Sequence, residues 1–317
     1  MMPEVIGELK ELRAAPTVAD LCARFEEVHL PRKRRLTAQG YRYEIAADVH
    51  PAPGKLKVAA VTYADIDKLH RDISRRAPYQ ANRVLALLPK MFTLSIRWGM
   101  RTDNPSKGVE RNAEEKRKRY MTGDELRRLT AALDRYDNQQ AANVIRLLLL
   151  TGARKGEVLA ARWDQFDLGA GIWTKPGSTV KQRTTHIAPL CSPARDLLLA
   201  LHKDRRRDSD YVFPSDRADD GHQHDITGAW TTVCRDAGIT GLRVHNLRHH
   251  YASVLASSGY SLPVIGQLLG HTQAATTQRY AHLFDDVLRG RLRKGRSNHH
   301  RQVSDKNLLR WCSGGLI

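Results

Sequence analysis

Five polar side chains stand out in segments otherwise rich in Leu, Val, Ile and Ala: Arg154 in TGARKGE, His245 and Arg248 in HNLRHH, His271 in LLGH, and Tyr280 in TTQRYAH. Two arginines can fork onto the non-bridging oxygens of a phosphodiester and offset the charge that builds as phosphorus becomes five-coordinate. A tyrosine can supply the nucleophile. Free phenol loses its proton only near a pKa of about 10, so the proton must pass to a neighbour as the oxygen attacks, and a histidine on an adjacent helix is a suitable acceptor. Hydrolysis would call for an activated water and usually a metal, whereas this set offers covalent transfer.

Each of these residues also has a plainer reading. Arg154, at the start of a helix, is poorly placed for the helix dipole and needs an anion, either Glu157 or a ligand. Arg248, one turn after His245, would need an anionic or carbonyl partner if buried. His271 could cap the last carbonyls of the helix ending at Gly270, and Tyr280 could be packing. His245 and His249 stand at i and i+4, which is also a metal-ligand spacing, but they lack the glutamate of HExxH and a supporting Cys or carboxylate. Cys22, Cys191, Cys234 and Cys312 show no paired spacing, so they read as buried, reduced thiols rather than a zinc cage or a disulfide framework.

Residues so far apart in sequence must be carried together by a fold, and the chain's patterning predicts a mainly α one. TVADLCARFEEV begins with Thr17 and Asp20 in capping positions and spaces Leu21, Phe25 and Val28 helically. Similar patterns recur from Leu36 to Ala47, in TYADIDKLHRDI, and in NRVLALLPKMFTLSIRW, where Pro89 should kink or split the helix. This helical part should close at DNP, because Asn104 precedes a proline. GVERNAEEKRKRYMT has a linker's composition, and its Lys116, Arg117, Lys118 and Arg119 would suit a strap along a nucleic-acid backbone as well as a solvated connector.

Beyond it, Thr122 and Glu125 open LRRLTAAL, followed by the apolar NVIRLLLLTGARKGEVLAARW. FDLGAGIWT and THIAPL favour a small antiparallel sheet, after which helical periodicity returns at ARDLLLALH and persists to about Leu292. The divisions are an N-terminal extension 1–16, a helical unit 17–105, a basic linker 106–118, a second unit 119–292 and a tail 293–317 that could dock on a neighbouring subunit. With 52 Lys and Arg against 34 Asp and Glu, the formal charge is +18, a field that draws polyanions, nucleic acid first. No stretch has the length of a spanning helix and the N-terminus lacks a signal peptide's apolar region, so a soluble chain without a membrane partner is expected.

At its polar residues the sequence resembles the tyrosine recombinase, or phage integrase, family. The family pattern is an Arg in TGxRxxE, a Lys in a β-hairpin, an HxxR box, a His in LLGH and a Tyr about nine residues on; here these fall at Arg154, His245, Arg248, His271 and Tyr280, in order. For the lysine, Lys175 and Lys181 both stand in WTKPGSTVKQRTTHIAPL; counting back from Pro189 assigns the family position to Lys181 and leaves Lys175 on the first strand, where it would meet a backbone phosphate. The likeness spans about Thr17 to Leu292.

This resemblance implies a helical, SAM-like core-binding domain and a mostly helical catalytic domain with a small antiparallel sheet, clamping opposite faces of duplex DNA. It implies that Tyr280 forms a 3′-phosphotyrosyl link, that Arg154 and Arg248 hold the phosphate, that His271 donates to its oxygens, and that Lys181 protonates the leaving 5′-oxygen. His245 would shuttle or orient the tyrosine proton, and Glu157 would buttress the Arg154 helix. Neither metal, ATP nor another cofactor is implied. The partners would be double-stranded recombination sites, a homotetramer across two duplexes and an accessory directionality factor, in a bacterial cytoplasm at the nucleoid. The residues ahead of Thr17 are too few for the arm-binding domain of many relatives. Three rivals use parts of the same pattern: a type IB topoisomerase, a non-catalytic DNA-binding regulator, and a metal hydrolase built on the histidines.

Overall fold

Thr17, Thr62 and Thr122 start helices in the same manner. Each hydroxyl accepts from the backbone N–H three residues on, and the acid there (Asp20, Asp65, Glu125) accepts from the threonine's own N–H. A cap of this kind is worth about 1 kcal/mol, enough to fix where a helix begins but not what it packs against. The computed structural model describes residues 14–115, 119–177 and 185–281, and divides the chain into two compact units, Met1–Arg117 and Lys118–Ile317.

The first unit is helical: α1 (Val18–Val28), α2 (Arg35–Glu44, continuing into a wider π turn over Ile45–Val49), α3 (Tyr63–Arg76) and α4 (Pro78–Arg97). Their apolar faces enclose one core around Leu21, Phe25, Ile66, Leu88 and Phe92. Pro89 does not split α4, contrary to one of the two outcomes expected for it. Leu85, Leu88, Met91 and Phe92 are buried on either side of it, so packing holds the turn that the missing N–H would loosen. The Pro89 carbonyl accepts from Thr93 Oγ1 (2.7 Å) and Asn104 Nδ2 (3.0 Å).

The second unit is built on α6 (Gln139–Thr151), preceded by α5 (Gly123–Arg135). With Ala142, Val144, Ile145, Leu147 and Leu148 buried, α6 is apolar nearly all round, as suits a helix covered on every side. It is packed by α5, α7 (Lys155–Leu159), α8 (Ser192–Lys203), α9 (Thr227–Asp236) and α10 (Val244–Ser257). The expected antiparallel sheet is present, in the order β1 (Phe166–Asp167), β2 (Ile172–Lys175), β3 (His186–Pro189), with Trp173 opposite both Phe166 and Ala188. Trp173 is fully buried and stacks on Phe166 at 5.0 Å. Then come α11 (Leu262–Leu269), α12 (Ala274–Thr277) and a 3-10 turn over Gln278–Tyr280.

Gly152 closes α6 at φ +60, and a Cβ there would lie 2.5 Å from the Tyr251 ring of α10. Only glycine lets the chain turn left-handed while α10 approaches so closely, and that approach sets Arg154 and Arg248 side by side. Of the basic run read as either a strap or a solvated connector, residues 116–118 lie outside the described residues, and Arg119 forms an ion pair with Glu125. Among the described residues, no helix is long and apolar enough to cross a membrane.

Candidate active site

Arg154 is the residue immediately before α7. Its backbone N–H donates to Glu157 Oε2 (3.1 Å) and its Nη1 to Glu157 Oε1 (2.7 Å), so Glu157 steadies the helix start and the guanidinium together. The same carboxylate accepts from Lys175 Nζ at 3.1 Å. Burial works to raise the Glu157 pKa, but Lys175 and Arg154 hold it down at about 2, so it stays ionised. Lys175 is only 2% exposed and lies 4.2 Å over the Trp173 ring. Strand alternation puts it on the inner face with Trp173, beside the Arg154–Glu157 pair.

Arg248 comes from α10 and is also buried. Nη1 donates to Gly152 O (2.8 Å) and Nη2 to Leu269 O (2.6 Å), the carbonyl partners that a buried guanidinium requires. Arg154 Nη2 reaches the next carbonyl along, Gly270 O, at 3.5 Å. The two guanidiniums thus converge on consecutive carbonyls at the end of α11. Burial, then the charge of Arg154, brings Arg248 down to about 10, which leaves it cationic at neutral pH. Arg154, Arg248 and Lys175 are grouped around one carboxylate among the described residues; burial lowers the Lys175 pKa, while Glu157 favours its charged form. Such a group is short of negative charge.

The histidines around it are neutral. Burial, then Arg248 and Arg154, pushes His271 down to about 4. Its ring does not cap α11 with its side chain; the backbone N–H of His271 does that, donating to Gly266 O at 2.8 Å. Nδ1 lies 2.8 Å from Thr277 Oγ1. If Nδ1 accepts the threonine hydroxyl, Nε2 carries the hydrogen and is a donor.

Tyr280 is 1% exposed, and its hydroxyl lies 2.7 Å from Nδ1 of His249. Burial raises its pKa, while Arg248 and Arg279 pull it back. His249, held at about 4 by burial and then by His245 and Arg279, is unprotonated, so Tyr280 Oη donates to Nδ1. His245, expected to serve the tyrosine, instead meets His249 edge to face at 4.8 Å. The i and i+4 spacing was visible in the sequence; which of the two rings faces residue 280 depends on where the 3-10 turn lies. Among the described residues no carboxylate or cysteine is grouped with the His245–His249 pair as a metal site would need.

The arrangement therefore brings Arg154 and Arg248 together, with His271 beside them, and joins Tyr280 to the His249–His245 pair. Lys181 lies outside the described residues. Sequence reasoning had not foreseen His249 as the tyrosine's partner or Lys175 as the buried cation of Glu157.

Comparison with known proteins agrees with this fold. The model of the phage integrase family matches residues 119–286. Tyrosine recombinase XerD of Caulobacter vibrioides is 28% identical over 275 residues, covering 79% of this chain and 84% of the relative. Prophage integrase IntZ of Escherichia coli is 28% identical over 180 residues, which is 56% of this chain but 44% of the relative, so the match takes in less than half of that protein's length. Among solved structures, the Tn1549 transposon integrase in complex with transposon right end DNA superposes with a TM-score of 0.72 at 16% identity, over 89% of this chain and all of that one.

Proposed function

The chain belongs to the phage integrase family, and from that membership together with the site geometry we propose that it is a site-specific DNA recombinase working through a 3′-phosphotyrosyl intermediate. The observation that carries the reading is the convergence of Arg154 and Arg248 on adjacent carbonyls, beside the carboxylate of Glu157 that Arg154 shares with Lys175. A phosphodiester brings the missing negative charge and the planar acceptor edge that fits two guanidiniums.

Tyr280 Oη attacks phosphorus and the bond to the 5′-oxygen breaks. The phenolic proton passes to His249 Nδ1, with His245 edge-on behind it, and Lys181 protonates the departing 5′-oxygen. Arg154, Arg248 and the Nε2 hydrogen of His271 hold the non-bridging oxygens as their charge grows. The 5′-hydroxyl of a partner strand then attacks the phosphotyrosine, giving its proton to Lys181 while His249 returns the phenolic proton to Tyr280, so bond energy is conserved and no step requires ATP or a catalytic metal. Four strands are cut and joined, which calls for a homotetramer on two duplexes, in the bacterial cytoplasm where such DNA is reached, with an accessory factor setting direction. In this reading residues 17–105 are the core-binding domain, 106–118 the linker and 119–292 the catalytic domain.

A nicked duplex that lets the cleaved end diffuse away traps the covalent step. Wild-type protein should give a DNA adduct that survives denaturation; Tyr280→Phe should bind the same duplex and give none, and Arg154→Lys should be severely impaired because an ammonium cannot make the forked contact. Adduct formation by Tyr280→Phe would remove this tyrosine as the nucleophile. Strand exchange between paired sites separates recombination from simple relaxation of supercoils, and any adduct at all separates it from a passive DNA-binding regulator.

A further inference from the structure

Away from this site, the loop between α8 and α9 gathers a second set of polar donors. Asp220, His222 and His224 alternate along DDGHQHD; Gly221, at φ +75, turns the backbone between Asp220 and His222, and donor atoms of all three come together. The backbone there is held by Ser215 N–H to Gly221 O (3.0 Å), Gly221 N–H to Ala218 O (2.9 Å) and Gln223 N–H to Phe213 O (2.9 Å), and His222 pairs across from Pro214. The donors are therefore arranged before any ligand arrives. The Asp220 carboxylate lies 2.6 Å from His224 Nε2 and 3.4 Å from His222 Nε2, and one donor atom from each residue falls within 4.8 Å of the others.

We propose that Asp220, His222 and His224 form a binding site for a divalent transition-metal ion, zinc in particular, which clips the loop ahead of α9. Imidazole and carboxylate donors around a tetrahedral zinc stand about 3.3–3.5 Å apart at ordinary bond lengths, so the ion must part His224 from the carboxylate and draw in the widest pair, now within 4.8 Å. His222 Nδ1 lies 3.0 Å from Gln223 O; donating its hydrogen there leaves Nε2 as the free lone pair, the orienting contact that metal-bound histidines require. Tyr211 packs on the His222 ring at 4.9 Å and limits its rotation. With Asp220 and His224 about half exposed, water completes the coordination and the ion exchanges with solvent.

The clip bears on the rest of the unit through Asp225, next in sequence to His224. Asp225 accepts from the N–H of Thr227 (3.1 Å), the first residue of α9, and pairs with Lys155 Nζ (2.8 Å), the first residue of α7 after Arg154. The ion is structural and takes no part in strand cleavage.

The full chain, stripped with chelator and titrated with zinc chloride, should bind about one equivalent and unfold at a higher temperature when loaded. Cobalt in place of zinc should give a visible absorption band. Asp220→Asn, His222→Gln and His224→Ala should each weaken binding at least about tenfold and lose the band, with far-UV circular dichroism unchanged. Zinc binding that none of the three substitutions weakens, or no saturable binding by the wild type, would overturn the assignment. Since His224→Ala should still form the covalent DNA adduct, failure of the metal site and failure of the recombinase reading are told apart.

Discussion

At the residue scale the site is a problem in charge. Glu157 is the common partner of Arg154 and Lys175, and both members of the Glu157–Lys175 pair are almost wholly buried. Glu157→Gln should therefore cost about 3–5 kcal/mol, because it strands a buried ammonium, whereas Lys175→Met should cost less, since Arg154 still neutralises the carboxylate. Urea unfolding of the two variants checks the order; equal losses would contradict it. The neutral histidines give a second expectation. His249 and His271 bind protons at about 4 in the folded chain against an ordinary 6.5. Between these values the unfolded chain holds more protons, so stability should be full above about pH 6.5 and fall as the pH drops toward 4. Thermal unfolding across that range should show the slope, flattened in a His249→Gln, His271→Gln double variant; an unchanged slope would refute the assigned environments. His249→Gln should also slow adduct formation by about 10²–10⁴-fold if the ring takes the phenolic proton.

At the element scale the decisive join is the end of α6 against α10. Gly152→Ala forces a left-handed residue, costing about 1–2 kcal/mol, and drives a methyl group into the Tyr251 ring. The variant should unfold at lower temperature and cleave poorly, because the Gly152 carbonyl that Arg248 grips would move; wild-type stability would show that the turn tolerates a side chain. The sequence announced many elements through local chemistry: the threonine caps at Thr17 and Thr122, the Gly152 and Gly270 helix ends, and the antiparallel strands β2 and β3. Less legible were features decided by packing. Pro89 stays within α4 because apolar neighbours on either side hold it, and Lys175 goes inside because it shares a strand face with Trp173. That alternation was present in IWTK, but a lysine is so seldom buried that only its carboxylate partner eighteen residues upstream explains it. The motifs named Arg154, Arg248 and Tyr280; they could not say that His249 rather than His245 faces the phenol, since one helical turn puts both rings on the same side.

At the scale of the whole molecule, a formal charge of +18 makes contact with DNA a matter of counterion release. If six to ten phosphates are engaged, affinity for a duplex of arbitrary sequence should fall by about 10³–10⁵ between 50 and 200 mM salt, whereas a chain whose charge is merely solvating would show a shallow dependence. The charge draws polyanions to the protein, but the proposed chemistry rests on one oxygen. The most direct test is to digest the trapped adduct with protease and nuclease and identify the modified peptide by mass spectrometry. A nucleotide joined through its 3′-phosphate to Tyr280 is the predicted result; attachment at another residue, or through a 5′-phosphate, would contradict the account.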